Sequence, residues 1–267
     1  MSDRGRPASA ALYDALAGEY DEHFAVPHRR AYDDLAWERV AALLPQQPAT
    51  VVDVGCGVGR WADRLVALGH RVIGIEGAPA MAAAARTRAD VLGTNCFTVI
   101  EARMEDDRPE LTGHADAVIA MGSFQYADDP DHVLASMYSW LRPDGVVAIL
   151  VDSLGGLVAT LLHEGRAEEA IERAATRRGH WEPTGPPGAD LALYDRRDLT
   201  ERLQRAGFRD VDAHGLLVSA SILGVAAFTA RLAQDPAGTL ATERSLAEPG
   251  ALADLGKQLL VTGRRCA

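Results

Sequence analysis

Along this chain the apolar positions first recur at helical spacing, then gather into short blocks, and finally lose any single period. Tyr13, Leu16 and Tyr20 fall on one helical face, and Leu35, Val40, Leu43 and Leu44 continue the spacing, so residues 10–46 are predicted to be helical. Pro27 should separate two helices there, and residues 45–50 read as a linker. From residue 51 onward, apolar blocks at 51–54, 71–76, 97–101, 117–121 and 146–151 read as strands. Between them, 59–68 places Trp61, Leu65 and Leu68 on one face, 79–89 is Ala-rich behind Pro79, and 130–141 turns Val133, Met137, Trp140 and Leu141 inward. The RPDG run at 142–145 predicts a tight turn. Block 146–151 is apolar throughout, as a strand covered on both faces should be.

Strands separated by helices argue for a parallel, doubly wound sheet. The pattern then changes. Residues 153–179 read as charged helix, 180–190 as a loop rich in proline and glycine, and 199–206 as a helix ending at Gly207. Two more strands are predicted at 211–218 and 258–261, whereas the Ala-rich stretch 219–250 suggests no definite element. The expected fold class is α/β: a Rossmann-like doubly wound, mostly parallel seven-stranded sheet in one domain spanning 1–267. N-terminal helices at 10–46 and a helical lid or substrate insert at 153–195, after the fifth strand, complete it.

Composition narrows the partners. With 48% apolar and 24% charged residues a sizeable core is expected, and at 6% aromatics it must be filled mainly by Ala, Val and Leu. A net charge of −11 repels phosphate backbones, which weighs against nucleic acid as a partner. Lys257 is the only lysine; the preference for arginine is what GC-rich coding produces, and the arginine pairs form no polybasic tract. Cys56, Cys96 and Cys266 show no CxxC spacing, so neither a disulfide framework nor a zinc site is indicated, as suits a reducing cytoplasm. Residues 1–9 are polar, without an apolar signal core, and no apolar stretch is long enough to span a bilayer. The expectation is a cytoplasmic enzyme with no membrane partner and no metal, its oligomeric state open.

The chemistry concentrates where the first strand meets its helix, at Asp53-Val54-Gly55-Cys56-Gly57-Val58-Gly59-Arg60. Glycines there permit left-handed backbone and close approach of a ligand, and the helix start exposes unpaired N–H groups. Dinucleotide folds want GxGxxG, but here the glycines are at 55, 57 and 59, and Arg60 holds the place of the third dinucleotide glycine. The next strand ends at Glu76, whose carboxylate can accept hydrogen bonds from both hydroxyls of a ribose. Cys56 reads as a small buried filler inside the turn.

These residues carry a resemblance. VVDVGCGVGRWADRLVALGHRVIGIEGAPAM resembles motif I and the following strand of class I S-adenosylmethionine-dependent methyltransferases, and DAVIAMGSFQYADDPDHVLASMYSWLRPDGVVAIL resembles their fourth strand, helix and fifth strand. At closer range the chain is similar to tRNA carboxymethoxyuridine methyltransferases and to small-molecule O-methyltransferases of the ubiquinone pathway. The resemblance implies S-adenosylmethionine as cofactor. It implies Asp53, Gly55 and Gly57 at the amino-acid end, Glu76 on the ribose, and Gly77, Ala78 and Met81 along adenine and ribose. Arg103 and Met104 would flank adenine, Met121 would lie near the methionine moiety, and Tyr20 and Arg29 would meet the carboxylate, with Arg30 competing for Arg29's role. The run Glu101-Ala102-Arg103-Met104-Glu105-Asp106 departs from the family pattern, so the adenine amino contact stays unassigned between Glu105 and a backbone group.

Methyl transfer chiefly needs alignment and exclusion of water; a hydroxyl acceptor also benefits from a base, whereas a carboxylate needs none. His180 is the leading base candidate, followed by His163, Asp152 and Tyr194; His23 and His28 could face the substrate, as could Gln125 and Tyr126 after the fourth strand. Tyr13 reads as core. Three functions remain in play: O-methylation of a small molecule in bacterial specialised metabolism, carboxyl methylation on tRNA, and a non-methylating binder or cyclase on the same scaffold. A basic rim around the cofactor mouth would favour RNA, and an enclosed apolar pocket a small molecule.

Overall fold

Runs of Val, Ile and Ala at alternating depth build the sheet. In the computed structural model, which describes residues 9–183, 185–248 and 250–266, β1 (Thr50–Val54), β2 (Arg71–Glu76), β3 (Phe97–Glu101), β4 (Ala115–Met121) and β5 (Leu141–Asp152) run parallel in the order β3-β2-β1-β4-β5. The insert carries a separate antiparallel pair, β6 (Arg178–Trp181) and β7 (Ala189–Ala192). The main sheet closes with β8 (Arg209–Leu216) outside β9 (Gln258–Arg264), and β9 is antiparallel to both β8 and β5.

The pleat sends successive side chains to opposite faces. Val52, Val118, Val147 and Ile149 enter one apolar layer with Val133, Met137 and Trp140 from a helix, while Val51, Ile119, Ala148 and Leu150 enter the other with Leu35, Val40 and Leu65. Both faces are therefore helix-covered.

The helices in chain order are α1 (Ala10–Leu16), α2 (Tyr20–Phe24), α3 (Pro27–Leu43), α4 (Arg60–Ala67), α5 (Pro79–Leu92), α6 (Pro130–Trp140), α7 (Leu154–His163), α8 (Ala167–Thr176), α9 (Arg196–Arg205), α10 (Val218–Leu223), α11 (Val225–Gln234) and α12 (Pro236–Ala247). Most predicted elements lie within a few residues of their expected bounds, and Gly207 (φ 100) follows α9. Four expectations change. The RPDG run at 142–145 lies within β5 instead of forming a separate turn, with Asp144 in the left-handed region (φ 62), whereas Pro27 parts α2 from α3 as expected, in the first turn of α3. Leu68 does not share the buried face of Leu65; it caps α4 and is 52% exposed. Segment 180–190 is not all loop, since its ends pair as β6 and β7. The open stretch 219–250 forms three helices packed over α3 and β8. Of the stretch 1–9, only Ser9 is among the described residues.

The insert is fastened at its root. Ser153 caps α7 by accepting from the Gly156 N–H at 3.2 Å, and its hydroxyl donates to the Asp254 carbonyl at 2.8 Å. Gly155 and Gly156 let the helix start touch backbone. A Cβ at Gly156 would lie 1.9 Å from the Gly256 carbonyl oxygen and 2.9 Å from the Lys257 Cα.

Candidate functional site

At the carboxyl edge of the sheet, β1 turns through Gly55 (φ 70), Gly57 (φ 56) and Gly59 (φ 82) into α4, all three in the left-handed region. Gly55 and Cys56 donate to the Ile75 carbonyl at 2.7 and 3.1 Å, which ties the turn to β2. A Cβ on Gly55 would lie 2.3 Å from Ser123 Cβ, so that glycine is fixed by packing as well as by φ. At Gly57 the nearest atom to an added Cβ is in the Tyr20 ring, 3.8 Å away. Cys56 is buried, as expected of a filler; its sulfur stands 2.6 Å from where a Cβ on Gly74 would be.

Glu76 is clamped at the end of β2. Its Oε2 accepts from the Gly57 N–H at 2.8 Å and its Oε1 from the Ala78 N–H at 2.7 Å. Burial pushes its carboxyl upward, while the N–H donors of Ala78, Gly57 and Gly77 pull it back.

A cleft lies above this turn. Gly55, Gly57, Glu76, Gly77 and Ala78 line one side, and Ala102, Arg103, Met104, Glu105, Met121 and Ser123 another; Ala10, Tyr13 and Tyr20 cover it. Of the residues expected at the cofactor, the structure thus gathers Tyr20, Gly55, Gly57, Glu76, Gly77, Arg103, Met104 and Met121. Glu105 also lines the cleft, but it already accepts from the Asp128 N–H at 2.9 Å and meets Arg103 at 3.3 Å.

Three expected residues lie elsewhere. Asp53 lies beneath the turn at 2% exposure, where burial and then the Glu76 charge push its carboxyl up to about 7. Met81 is fully buried in the apolar cluster under α1, with Leu12 and Leu16, and is absent from the cleft lining because α1 covers that face of α5. Arg29, at the start of α3, lines a neighbouring cavity instead, and Arg30 faces an outer groove beside Asp33 and Arg60.

That neighbouring cavity shares Tyr13, Tyr20, Met121, Gly122 and Tyr126 with the cleft. Tyr13 therefore walls both spaces instead of filling core. Gln125 and Tyr126, expected at the substrate, line the cavity. So do Phe24, His28, Tyr32, Asp152, Trp181, Leu217, Lys257 and Gln258. Rings interlock around it: Tyr13 lies 5.4 Å from Tyr126 and 5.9 Å from Trp181, and Tyr20 lies 5.0 Å from Phe24, centroid to centroid. Burial first, and neighbouring charge second, raise the phenol pKa values of Tyr13, Tyr20 and Tyr126, so these hydroxyls stay protonated donors; Arg60 works against this at Tyr20, and hydrogen bonding does so at Tyr126.

Asp152, at the end of β5, is clasped by one amide. Gln125 Nε2 donates to its Oδ2 at 3.0 Å, and its own N–H donates to Gln125 Oε1 at 3.0 Å. Burial raises its carboxyl, against Lys257, Gln258, Arg29 and Gln125. The other base candidates do not reach the cavity. His180 faces outward from β6, because Gly179 and Trp181 take the inner positions of that strand. It is exposed and held by Asp190 at 2.7 Å and Glu182 at 3.3 Å, and both raise its pKa. His163 packs against Gly224, Tyr194 is buried against Phe124, and His23 meets Trp181 edge to face. The cations Arg29 and Lys257 and the ring of Trp181 went unassigned to a substrate site in the sequence, and only the uniqueness of Lys257 could have marked it.

Over residues 26–213 the chain matches the family described as a methyltransferase domain. It belongs to that family, the class I S-adenosylmethionine-dependent methyltransferases. It is 27% identical over 187 residues to the ubiquinone biosynthesis O-methyltransferase of Xanthomonas axonopodis pv. citri (strain 306), covering 70% of this chain and 74% of that one. It is 30% identical over 205 residues to the tRNA U34 carboxymethyltransferase of Methylococcus capsulatus, covering 74% of this chain and 56% of that one. The solved structure of the cyclase SpnF superposes with a TM-score of 0.63 over 98% of each chain at 17% identity, a likeness of fold alone.

The cleft suits the family's cofactor, S-adenosylmethionine. Its fixed Glu76 carboxylate offers acceptors for a diol, Ala78, Ala102 and Met104 offer apolar walls for a purine, and a Cβ on Gly57 would project toward Tyr20 across space that both residues line. Among the described residues no helix is long and apolar enough to cross a membrane.

Proposed function

We propose that this chain O-methylates a small molecule, a biosynthetic intermediate of bacterial specialised metabolism, held in the aromatic cavity beside the cofactor cleft. The observation that carries the reading is the shared wall of Tyr13, Tyr20, Met121, Gly122 and Tyr126, which sets two cavities edge to edge where an acceptor could meet a methyl donor. When bound, S-adenosylmethionine supplies a methyl group on cationic sulfur; its transfer forms a C–O bond, breaks the C–S bond and leaves neutral S-adenosylhomocysteine. Asp152 takes the proton of an acceptor hydroxyl, a role for which its raised carboxyl and the Gln125 clasp suit it. This assignment replaces His180. The insert 153–195 covers the acceptor by placing Trp181 over the cavity.

A small acceptor is favoured over tRNA by the fate of the arginines. Near the site, Arg60 pairs with Asp33, Arg88 with Asp21 and Asp63, and Arg103 with Asp128, so among the described residues these arginines form no free basic rim around the mouth. The test uses methyl-labelled cofactor with purified protein, a low-mass metabolite extract and, separately, bulk tRNA. Label entering the low-mass fraction with matching release of S-adenosylhomocysteine is expected. Label entering tRNA, or binding without release, would overturn the reading in favour of the RNA-modifying or non-methylating alternative.

A further inference from the structure

The acceptor cavity departs from the rest of the molecule in charge and in composition. In a chain of net charge −11, many arginines elsewhere are ion-paired, among them Arg177 with Asp195, Arg202 with Asp131 and Arg244 with Glu38. Arg29 and Lys257 both face the cavity, and among the described residues neither forms an ion pair. The Arg29 guanidinium lies 5.4 Å from the Phe24 ring centroid, and the hydrogen bond of Lys257 Nζ among the described residues is to the Thr160 hydroxyl, at 3.5 Å. The single carboxylate on the cavity wall is Asp152, already clasped by Gln125. On the cavity wall itself two cations face one carboxylate, a local excess of one positive charge that a ligand anion would complete, although Asp152 acts on both and Glu164, off the wall, also acts on Lys257. The neutral form of His28 fits this field, since burial and then Arg29 and Lys257 lower its pKa.

Aromatic residues are scarce in this chain, yet the cavity walls take four of its six tyrosines, one of its five phenylalanines and one of its four tryptophans. These rings pack on one another at 5–6 Å and turn the rest of their apolar surface to the cavity, which favours a planar, apolar ligand body. Gln258 Oε1 is buried on this wall without a hydrogen-bond partner among the described residues, next to the Asp152 carboxylate, and it offers an acceptor to a ligand hydroxyl.

We infer that the acceptor is a planar aromatic monoacid bearing a hydroxyl, its carboxylate held by Arg29 and Lys257 and its hydroxyl directed to Asp152 and Gln258. A carboxylate balances the one surplus charge, whereas a phosphate dianion exceeds it. The carboxylate is the handle. The hydroxyl oxygen receives the methyl and passes its proton to Asp152.

This inference rests on the methyltransferase reading, and its test separates the two. Protein saturated with S-adenosylhomocysteine is titrated with a hydroxybenzoate, the matching hydroxybenzamide, cyclohexanecarboxylate and phenyl phosphate, followed by calorimetry. The hydroxybenzoate should bind best, and Arg29→Gln or Lys257→Gln should weaken it about ten- to a hundredfold, the scale of a charge-assisted hydrogen bond. Lys257→Arg should restore most of that loss. Affinity for S-adenosylhomocysteine should stay within about twofold in all three variants, which also verifies their fold. Equal binding of acid and amide, a preference for phenyl phosphate or the saturated acid, or no acid binding by protein that still holds S-adenosylhomocysteine would overturn the acceptor class and leave the cofactor reading standing. If Arg29→Gln instead weakened S-adenosylhomocysteine, Arg29 would belong to the cofactor's carboxylate and the inference would fall. Absence of S-adenosylhomocysteine binding in the parent protein would sink both.

Discussion

The two cavities meet at one wall but are made in opposite ways. The cofactor cleft is built from backbone and strand ends: three glycines after β1, a carboxylate at the end of β2, short segments after β3 and β4, all consecutive along the parallel sheet. The acceptor cavity is built from side chains that converge from far apart, with Tyr13 and Arg29 from the N-terminal helices, Trp181 from the insert and Lys257 before β9. Their electrostatics also oppose. Glu76 puts a carboxylate on the cleft wall, which suits a sulfonium cation, whereas two cations face one carboxylate on the wall of the acceptor cavity. Topology fixes the first site, and packing of peripheral elements fixes the second.

The harshest way to break that pairing is Gly156→Ala. The new Cβ would need to occupy space 1.9 Å from a backbone oxygen, which no rotamer change can relieve, so α7 must lift from the 254–257 segment. A loss of roughly 3–5 kcal/mol is expected, the upper tail for single substitutions. Lys257 should lose its position with it. In denaturant melts at low temperature the variant should be far less stable, yet its remaining folded fraction should still bind S-adenosylhomocysteine. Equal loss of cofactor and acceptor binding would show that the cavities are not separable.

A second prediction concerns Asp53, beneath the turn. The Asp53 carboxyl titrates near 7 in the fold, against 3.8 ordinarily. Below about pH 4 folded and unfolded chains both carry the proton, and between about 4 and 7 the folded chain holds more proton than the unfolded one. Stability of the cofactor-free protein should therefore fall as pH rises through that window, by up to about 4 kcal/mol. Asp53→Asn should flatten much of the slope and be the more stable form above neutrality. The raised carboxyl of Glu76 acts with the same sign, so some slope should remain. Chemical denaturation of both proteins across pH 4–8 measures the difference, and a parent protein that gains stability over this range would contradict it.

Next in size is Glu76→Ala, which removes the acceptor for two backbone N–H groups and for the cofactor diol. Charge-assisted bonds contribute about 1.5–3 kcal/mol each, so affinity for S-adenosylhomocysteine should drop about a hundredfold or more by calorimetry. Glu76→Gln keeps one oxygen acceptor and should fall between. A loss of less than about threefold in Glu76→Ala would remove the clamp from the cleft's function.

The contrast explains what the sequence made legible. Strands 71–76 and 97–101 are observed as β2 and β3 at those bounds, because each carries β-branched residues, Val72, Ile73 and Ile75 in one and Thr98, Val99 and Ile100 in the other. The glycine turn and Glu76 lie only 21 positions apart and follow from one local βαβ pattern. Helices α10 to α12 left no readable period, since alanine is acceptable on either face. The β6–β7 ribbon was hidden by the prolines and glycines between its four-residue strands. Arg29, Trp181 and Lys257 converge only through tertiary packing, and nothing in local spacing announces that they share a wall. Met81 shows the reverse failure: the right helix, but a face that α1 covers.

The smallest effects come from adjacent residues in β6 and give the sharpest view of the insert. Strand alternation puts Trp181 inward, against Tyr13 at 5.9 Å and His23 at 5.3 Å, and His180 outward among Asp190 and Glu182. Trp181→Ala should raise the acceptor KM about tenfold, the loss of an aromatic contact worth roughly 0.5–1.5 kcal/mol plus its buried area, with affinity for S-adenosylhomocysteine unchanged. His180→Asn should leave kcat, KM and the pH profile within about twofold, because its ion pairs are solvent-exposed and such pairs contribute little. One residue of register separates these outcomes. Were His180→Asn the damaging change and Trp181→Ala the silent one, the ribbon would sit with its other face on the acceptor, and the base would have to be sought there instead of at Asp152.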